Sequence, residues 1–306
     1  MDPVNDMHVN GKTTLNELMK QFNETGGFTA KKLGTASEIM QKMEADKCFK
    51  FLSFPSDLVA AGSRGIILDF VKEKKFDCII TTAGTVSHDL IRIWTDYFHG
   101  SFDADDKELH QQGINRLGNI YIPNESYGEL LEKRLIPILQ KIYDEGNKNL
   151  ATWELCREIG KHLENEPKKG ESILYHAYKN NIPIIIPGPT DGALGFQIHM
   201  FKQDHDMTID VFKDEKLLEE MVFANEKSGA LMLGGGISKH HVIWWNQFKD
   251  GLDYVVYITT AVEHDGSLSG ARLKEAVSWG KIKEDAKYIT VEGDATILLP
   301  LLAATF

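Results

Sequence analysis

Two stretches decide the fold: Phe49-Lys50-Phe51-Leu52-Ser53-Phe54 running into Pro55-Ser56-Asp57, and Phe76-Asp77-Cys78-Ile79-Ile80-Thr81-Thr82 running into Ala83-Gly84-Thr85. Each is short, mostly apolar, and stops at small or polar residues. Asp57 to Lys74, between them, carries a helical pattern. A strand that is apolar nearly throughout is one covered on both faces, as in a parallel sheet. Working outward, Ile182–Ile186, Ala230–Leu233, Tyr254–Thr259 and Tyr288–Val291 repeat the strand signal, and Ser238 to Phe248 repeats the helical one. The alternation predicts an α/β fold: a doubly wound, mostly parallel, Rossmann-like sheet with helices on both faces. Asn124 to Lys169 reads as a long, charged, mostly helical excursion.

Residues 1–48 read as a short helical N-terminal arm of two helices. Thr14-Leu15-Asn16-Glu17 is a capping box ahead of the apolar stripe Leu15, Leu18, Met19 and Phe22. Thr35 to Glu38 repeats the device ahead of Ile39, Met40 and Met43. The arm is expected to pack on the main body rather than to reach for a partner. No Pro/Gly-rich linker divides residues 49–306, so they are read as one domain.

The chain has 306 residues, 42% of them hydrophobic, enough for a sizeable core. No run of about 18 apolar residues occurs, so no membrane span is expected. The N-terminal residues have neither a basic segment nor an apolar one, which predicts a cytoplasmic protein. A net charge of −11 disfavours nucleic acid and suits cationic ligands, either amines or basic protein tails. Cys48, Cys78 and Cys156 lie far apart, so neither a disulfide framework nor a metal site is expected.

In open α/β folds ligands bind beyond the carboxyl ends of the strands. The candidate strands run into Pro55-Ser56-Asp57, Thr82-Ala83-Gly84, Pro187-Gly188-Pro189-Thr190-Asp191-Gly192, Gly234-Gly235-Gly236, Thr260-Ala261 and Glu292-Gly293-Asp294-Ala295. Six such ends on one sheet edge make a site. The triple glycine reads equally as a phosphate cradle or a tight turn, and it is not the Gly-x-Gly-x-x-Gly fingerprint. His240 and His241 follow it; adjacent helical residues point about 100° apart, so one of the two faces the site. Trp244, Trp245 and Phe248 read as core or interface. Lys281 follows Trp279 and Gly280, and a lysine against an aromatic wall can form imines.

Glu275-Ala276-Val277-Ser278-Trp279-Gly280-Lys281-Ile282, with Asp265-Gly266-Ser267 and Ser269-Gly270-Ala271-Arg272 before it, resembles deoxyhypusine synthase. So do Gly234-Gly235-Gly236 with Lys239-His240-His241, Thr81-Thr82-Ala83-Gly84, Gly113-Ile114-Asn115-Arg116-Leu117-Gly118-Asn119 and Pro123-Asn124-Glu125. The similarity runs in register from about Phe49 to Phe306. The resemblance implies an NAD-binding catalytic domain and a transferase of hypusine biosynthesis. Such an enzyme moves the aminobutyl group of the polyamine spermidine to one lysine of the translation initiation factor 5A precursor, through an enzyme-lysine imine. It further implies a homotetramer whose active sites lie at a dimer interface.

Carried over residue by residue, the nucleophile is Lys281 and the base His240. Trp279, Glu275, Gly266 and Ser267 line the polyamine slot. Cofactor contacts fall on Ser56, Thr82, Ala83, Gly84, Asp191, Gly235, Thr260, Ala261, Asp265, Asp294 and Ala295. The chain departs from the eukaryotic pattern at three substrate positions, where His88, Phe196 and Leu268 replace acids, and at Asp57, which replaces an asparagine. Each lost acid removes a charge-assisted hydrogen bond of roughly 1.5–3 kcal/mol. Archaeal-type members vary at these positions. Glu275, Asp265 and Glu263 remain as anchors for ammonium groups. Two other readings stand beside this one: a homospermidine synthase-like enzyme with putrescine or another small amine as acceptor, and a catalytically silent binder of NAD or polyamine.

Overall fold

A computed structural model describes residues 1 and 3–306. It places six parallel strands where the apolar runs lie: β1 (Phe49–Ser53), β2 (Cys78–Ile80), β3 (Ile184–Ile185), β4 (Ser228–Leu233), β5 (Leu252–Thr259) and β6 (Ile282–Glu292). The chain forms two compact units, one of Met1–Phe54 with Leu217–Phe306, the other of Pro55–Lys216.

In the first unit the strand order is β6-β5-β4-β1. Register is plain: Phe51 lies beside Ala230, which lies beside Val255, which lies beside Tyr288. Successive strand side chains point to opposite faces. Ala230, Leu231, Met232 and Leu233 are all fully buried, as are Val255, Val256, Tyr257 and Ile258, so both faces are covered. The β5–β6 ladder slips: Leu252 pairs with Ile282, but Tyr254 pairs with Lys287. The N-terminal helices belong to this unit, and Phe28–Ala45 packs on β5 and β6.

The capping box at Thr14 and Glu17 is present, with both reciprocal bonds made. The second one is not. Phe28–Ala45 is one continuous helix passing straight through Thr35, and its N-cap is Gly27. Thr35 instead donates its hydroxyl hydrogen to Asn23 Oδ1 at 3.1 Å. The preceding residue, Gly34, lies so close to the first helix that a Cβ would sit 2.8 Å from Asn23 N and 2.9 Å from Met19 O. Helix crossing, not helix initiation, explains this segment.

In the second unit β2 and β3 pair through Ile79–Ile184 and Ile80–Ile185. The helical pattern from Asp57 is two helices, Asp57–Ala60 and Arg64–Lys72, broken at Ala61. The carbonyls freed at the break are satisfied by Arg92 Nη1, which donates to Ala60 O at 3.1 Å and Ala61 O at 2.9 Å. An antiparallel ribbon not read from the sequence joins Phe98–His99, Ile120–Pro123 and Ile114–Leu117. Asn124 to Lys169 is mostly helical, with long helices at Leu130–Asp144 and Thr152–His162.

Candidate active site

The segment Trp279-Gly280-Lys281 is a helix stop. Helix Leu273–Val277 ends where Gly280 takes a left-handed conformation, φ +68°. Gly280 N–H donates to Val277 O at 3.0 Å, and Lys281 N–H donates to Ala276 O at 3.0 Å. That pair of bonds is the Schellman arrangement, which requires a residue tolerant of positive φ. A second glycine grips the turn from β5. Leu252 N–H donates to Lys281 O at 3.1 Å. A Cβ on Gly251 would lie 2.8 Å from the Ile282 backbone and 2.9 Å from Gly280 O. Lys281 is thus fixed at the amino end of β6, with 9% exposure.

Its side chain enters a pocket of about 300 Å³ lined chiefly by Lys239, His240, Trp244, Leu268, Glu275 and Trp279. Lys281 Nζ is 3.4 Å from His240 Nε2. It lies 5.7 Å from the Trp244 ring centre and 5.3 Å from that of Trp279, within cation–π range of both. Glu275 supplies a carboxylate at the wall. Burial holds the His240 imidazole below its ordinary basicity, and the neighbouring Lys281 charge adds to this. His240 is therefore a neutral acceptor near pH 7. Of the two adjacent histidines, it is the one that meets Lys281.

Lys239 is 3% exposed and serves the scaffold. Its ammonium donates to Leu268 O and Ala271 O, both at 2.7 Å, and sits 4.0 Å over the Tyr257 ring. Burial pushes its pKa down to about 8. The sequence names Lys239 within its motif but gives it no role, and Trp244 reads there as core or interface. In the structure Trp244 is 40% exposed and forms part of the pocket wall. The spacing of four from His240 was the available signal.

A model of the deoxyhypusine synthase family matches residues 17–306. This chain belongs to the deoxyhypusine synthase family. It is 50% identical over 306 residues to a Picrophilus torridus protein named "Probable deoxyhypusine synthase", covering 100% of this chain and 97% of that one. A protein of the same name from Thermoplasma volcanium is 51% identical over 305 residues, with 99% and 97% covered. A crystal structure from Entamoeba histolytica, described as that of a "putative deoxyhypusine synthase", shares the fold with a TM-score of 0.65 at 22% identity, over 96% of this chain and 93% of that one. As a member of this family the chain is an enzyme, a transferase.

The remaining positions assigned by resemblance to deoxyhypusine synthase fall in two places. In the second unit, Ser56, Ala83, Gly84 and the Asp191-Gly192 turn converge. A Cβ on Gly84 would lie 2.7 Å from Ser56 Oγ, and one on Gly192 would lie 3.5 Å from Gly84 N. Thr82 caps helix Ala83–Trp94 with extended backbone but makes no side-chain cap bond. Its hydroxyl is buried and has no hydrogen-bond partner among the described residues. His88, on the same helix, is buried and bonds Tyr97 Oη at 2.7 Å, whereas Phe196 is exposed.

In the first unit, Gly235 is closed off by its own chain: a Cβ there would meet Ser269 Cα at 2.3 Å. Gly236, at φ +74°, faces open space. Asp294 caps helix Ala295–Ala303 through Thr296 N–H. Asp265 accepts from Ser267 N–H at 2.7 Å, next to Gly266 at φ +70°. Thr260 and Ala261 follow β5 directly, Ala261 N–H donating to Thr259 Oγ1 at 3.1 Å. Glu263 is engaged by Arg272 at 3.1 Å. Lys281 and Asp294 sit at opposite ends of β6. The seven steps of β5 from Leu252 to Thr259, each about 3.3 Å, put roughly 23 Å between these ends.

Among the described residues no helix is long and apolar enough to cross a membrane.

Proposed function

We propose that this enzyme carries out the deoxyhypusine synthase reaction, the NAD-dependent transfer of the spermidine aminobutyl group to a lysine of the translation initiation factor 5A precursor. The observation that carries this reading is the Lys281–His240 contact of 3.4 Å inside a pocket walled by Trp244, Trp279 and Glu275. That combination suits imine chemistry on an amine.

His240 Nε2 takes the proton of the donor's secondary amine as the adjacent carbon is oxidised. Lys281 Nζ then attacks the carbon of the resulting C=N bond. The bond from that carbon to the departing amine breaks as His240 returns a proton to it, and 1,3-diaminopropane leaves. The four-carbon fragment stays on Lys281 as an imine. The ε-amine of the acceptor lysine displaces Lys281 at the same carbon, and the new C=N bond is reduced. The tryptophan rings flank Lys281 Nζ and suit a cationic imine, and Glu275 pairs with the fragment's terminal ammonium.

NAD supplies the hydride acceptor at the start and the hydride donor at the end. The second unit offers a fitting cradle for it: the unpartnered Thr82 hydroxyl, Ala83, Gly84 with no room for a side chain, Ser56 and Asp191. The separation of Lys281 from the carboxyl edge of its own strands supports a site completed by a second copy, as in a homotetramer with active sites at a dimer interface. Leu268, at the pocket wall, replaces an acid, and Glu275 then bears more of the donor's charge.

The test is to incubate the protein with NAD and spermidine, with and without the unmodified factor. We expect 1,3-diaminopropane together with one added aminobutyl mass on the factor. Homospermidine without protein modification would instead establish the small-amine alternative.

A further inference from the structure

A histidine base is normally oriented through its second ring nitrogen by a carboxylate or carbonyl. Among the described residues His240 has no such partner, its contacts being Lys281 Nζ, through Nε2, and the ring of Trp244. Trp244 lies four residues on, on the same helix face, with ring centres 5.8 Å apart and planes inclined by 30°. The same indole meets the Lys281 ammonium at 5.7 Å. Phe248, another turn on, abuts Trp244 edge-on at 5.7 Å and 90°. At 40% exposure Trp244 is not needed to fill the core.

We propose that Trp244 is a positioning residue, whose ring fixes the His240 imidazole and holds it against Lys281. The proposal rests on His240 as base and Lys281 as nucleophile. In place of a hydrogen-bonded orienter, this pocket uses a stacked ring, itself braced by Phe248. The indole also keeps water from one side of the imidazole. The charged and titratable groups facing His240 are Lys239 and His241 on its own helix, and Lys281, Glu275 and Arg272 on the opposing segment. None of them replaces the ring.

The test compares Trp244→Ala and Trp244→Phe with the wild type in the full-length enzyme with NAD and spermidine. NADH formation is followed against pH, and borohydride-trapped Lys281 is quantified by mass. For Trp244→Ala we expect kcat to fall by about tenfold or more, since small misplacements of reacting groups are costly, with KM for spermidine changed by less than about threefold. The acid limb of the pH profile should move up, toward an ordinary histidine, because the imidazole regains water. Trp244→Phe should restore most of kcat and the limb. An NMR titration of the His240 ring, which needs no turnover, should show the same upward move in Trp244→Ala alone. A rise in KM with kcat and the limb unmoved would make Trp244 a mere wall for the amine and overturn the proposal, as would an unchanged His240 titration. A wild type that forms neither NADH nor a trapped lysine overturns the proposed function, and this inference with it.

Discussion

His88 and His240 occupy matching places and have opposite surroundings. Each lies within the first two turns of a helix that follows a parallel strand and a cluster of small residues, β2 with Thr82-Ala83-Gly84 and β4 with Gly234-Gly235-Gly236. Each has its basicity lowered by burial first, with a nearby cation second, Arg92 for His88 and Lys281 for His240. His88 spends its Nδ1 on Tyr97 Oη and lies between the rings of Tyr97 and Tyr127. His240 turns Nε2 toward a lysine in a pocket. Lowered basicity is therefore no mark of a base. The group must also face an open volume and a partner that exchanges protons with it.

Four substitutions break or sharpen that contrast. Lys281→Arg removes the partner and should abolish turnover, by more than about 10³-fold, with the fold intact. Borohydride trapping that still labels this variant would refute the nucleophile. His240→Ala should cost about 10²–10⁴-fold in hydride transfer while NAD binding, measured by calorimetry, stays near wild type. In the wild type the same rate should fall as pH drops through the His240 pKa, below the ordinary 6.5, because the base must be neutral.

His88 should report on stability. Its folded pKa is pushed down to about 4 from an ordinary 6.5, so the unfolded chain takes the proton first. Stability present above about 6.5 is lost as pH falls toward 4, by at most about 3 kcal/mol. His88→Gln should flatten the difference between denaturation midpoints at pH 7 and pH 5; an undiminished difference would show that His88 is not its source. Smallest, Thr82→Val should weaken NAD by about tenfold yet leave thermal stability unchanged or raised, since it removes an unpaired buried hydroxyl. A loss of stability with NAD affinity untouched would assign that hydroxyl to the scaffold.

Most of the parallel strands were legible because they are apolar on both alternations, which burial on two faces demands. Strand ends were less so: Phe76–Thr82 contracts to Cys78–Ile80 and Tyr288–Val291 extends to Ile282–Glu292. After Ile282, β6 continues in Lys283-Glu284-Asp285, charged residues that carry no strand signal. The ribbon around Ile114–Leu117 is half exposed and short, and Gly118-Asn119 with φ +60° at Gly118 was its only sharp cue. Thr35 looked like a cap because four residues cannot report that Gly34 lets another helix cross. The site was legible as a set of residue types. That Lys281 lies at the amino end of its strand was not, since the chain from Thr260 to Gly280 returns along the sheet before β6 begins.

The slipped register between β5 and β6 has a mechanical consequence for that lysine. Between the Leu252–Ile282 and Tyr254–Lys287 pairs, one residue of β5 faces four of β6, and the slack is tied by the 2.6 Å contact of Lys283 Nζ with Asp253. A ladder with fewer bonds per residue opens locally at less cost than the sheet as a whole. Lys281 is therefore held by the last bond before a slipped stretch of the β5–β6 ladder. Amide exchange at Leu252, whose N–H holds Lys281 O, gauges that compliance directly. In the proposed reaction, the lysine that would pass a fragment from one amine to another is mounted beside this irregular stretch of ladder.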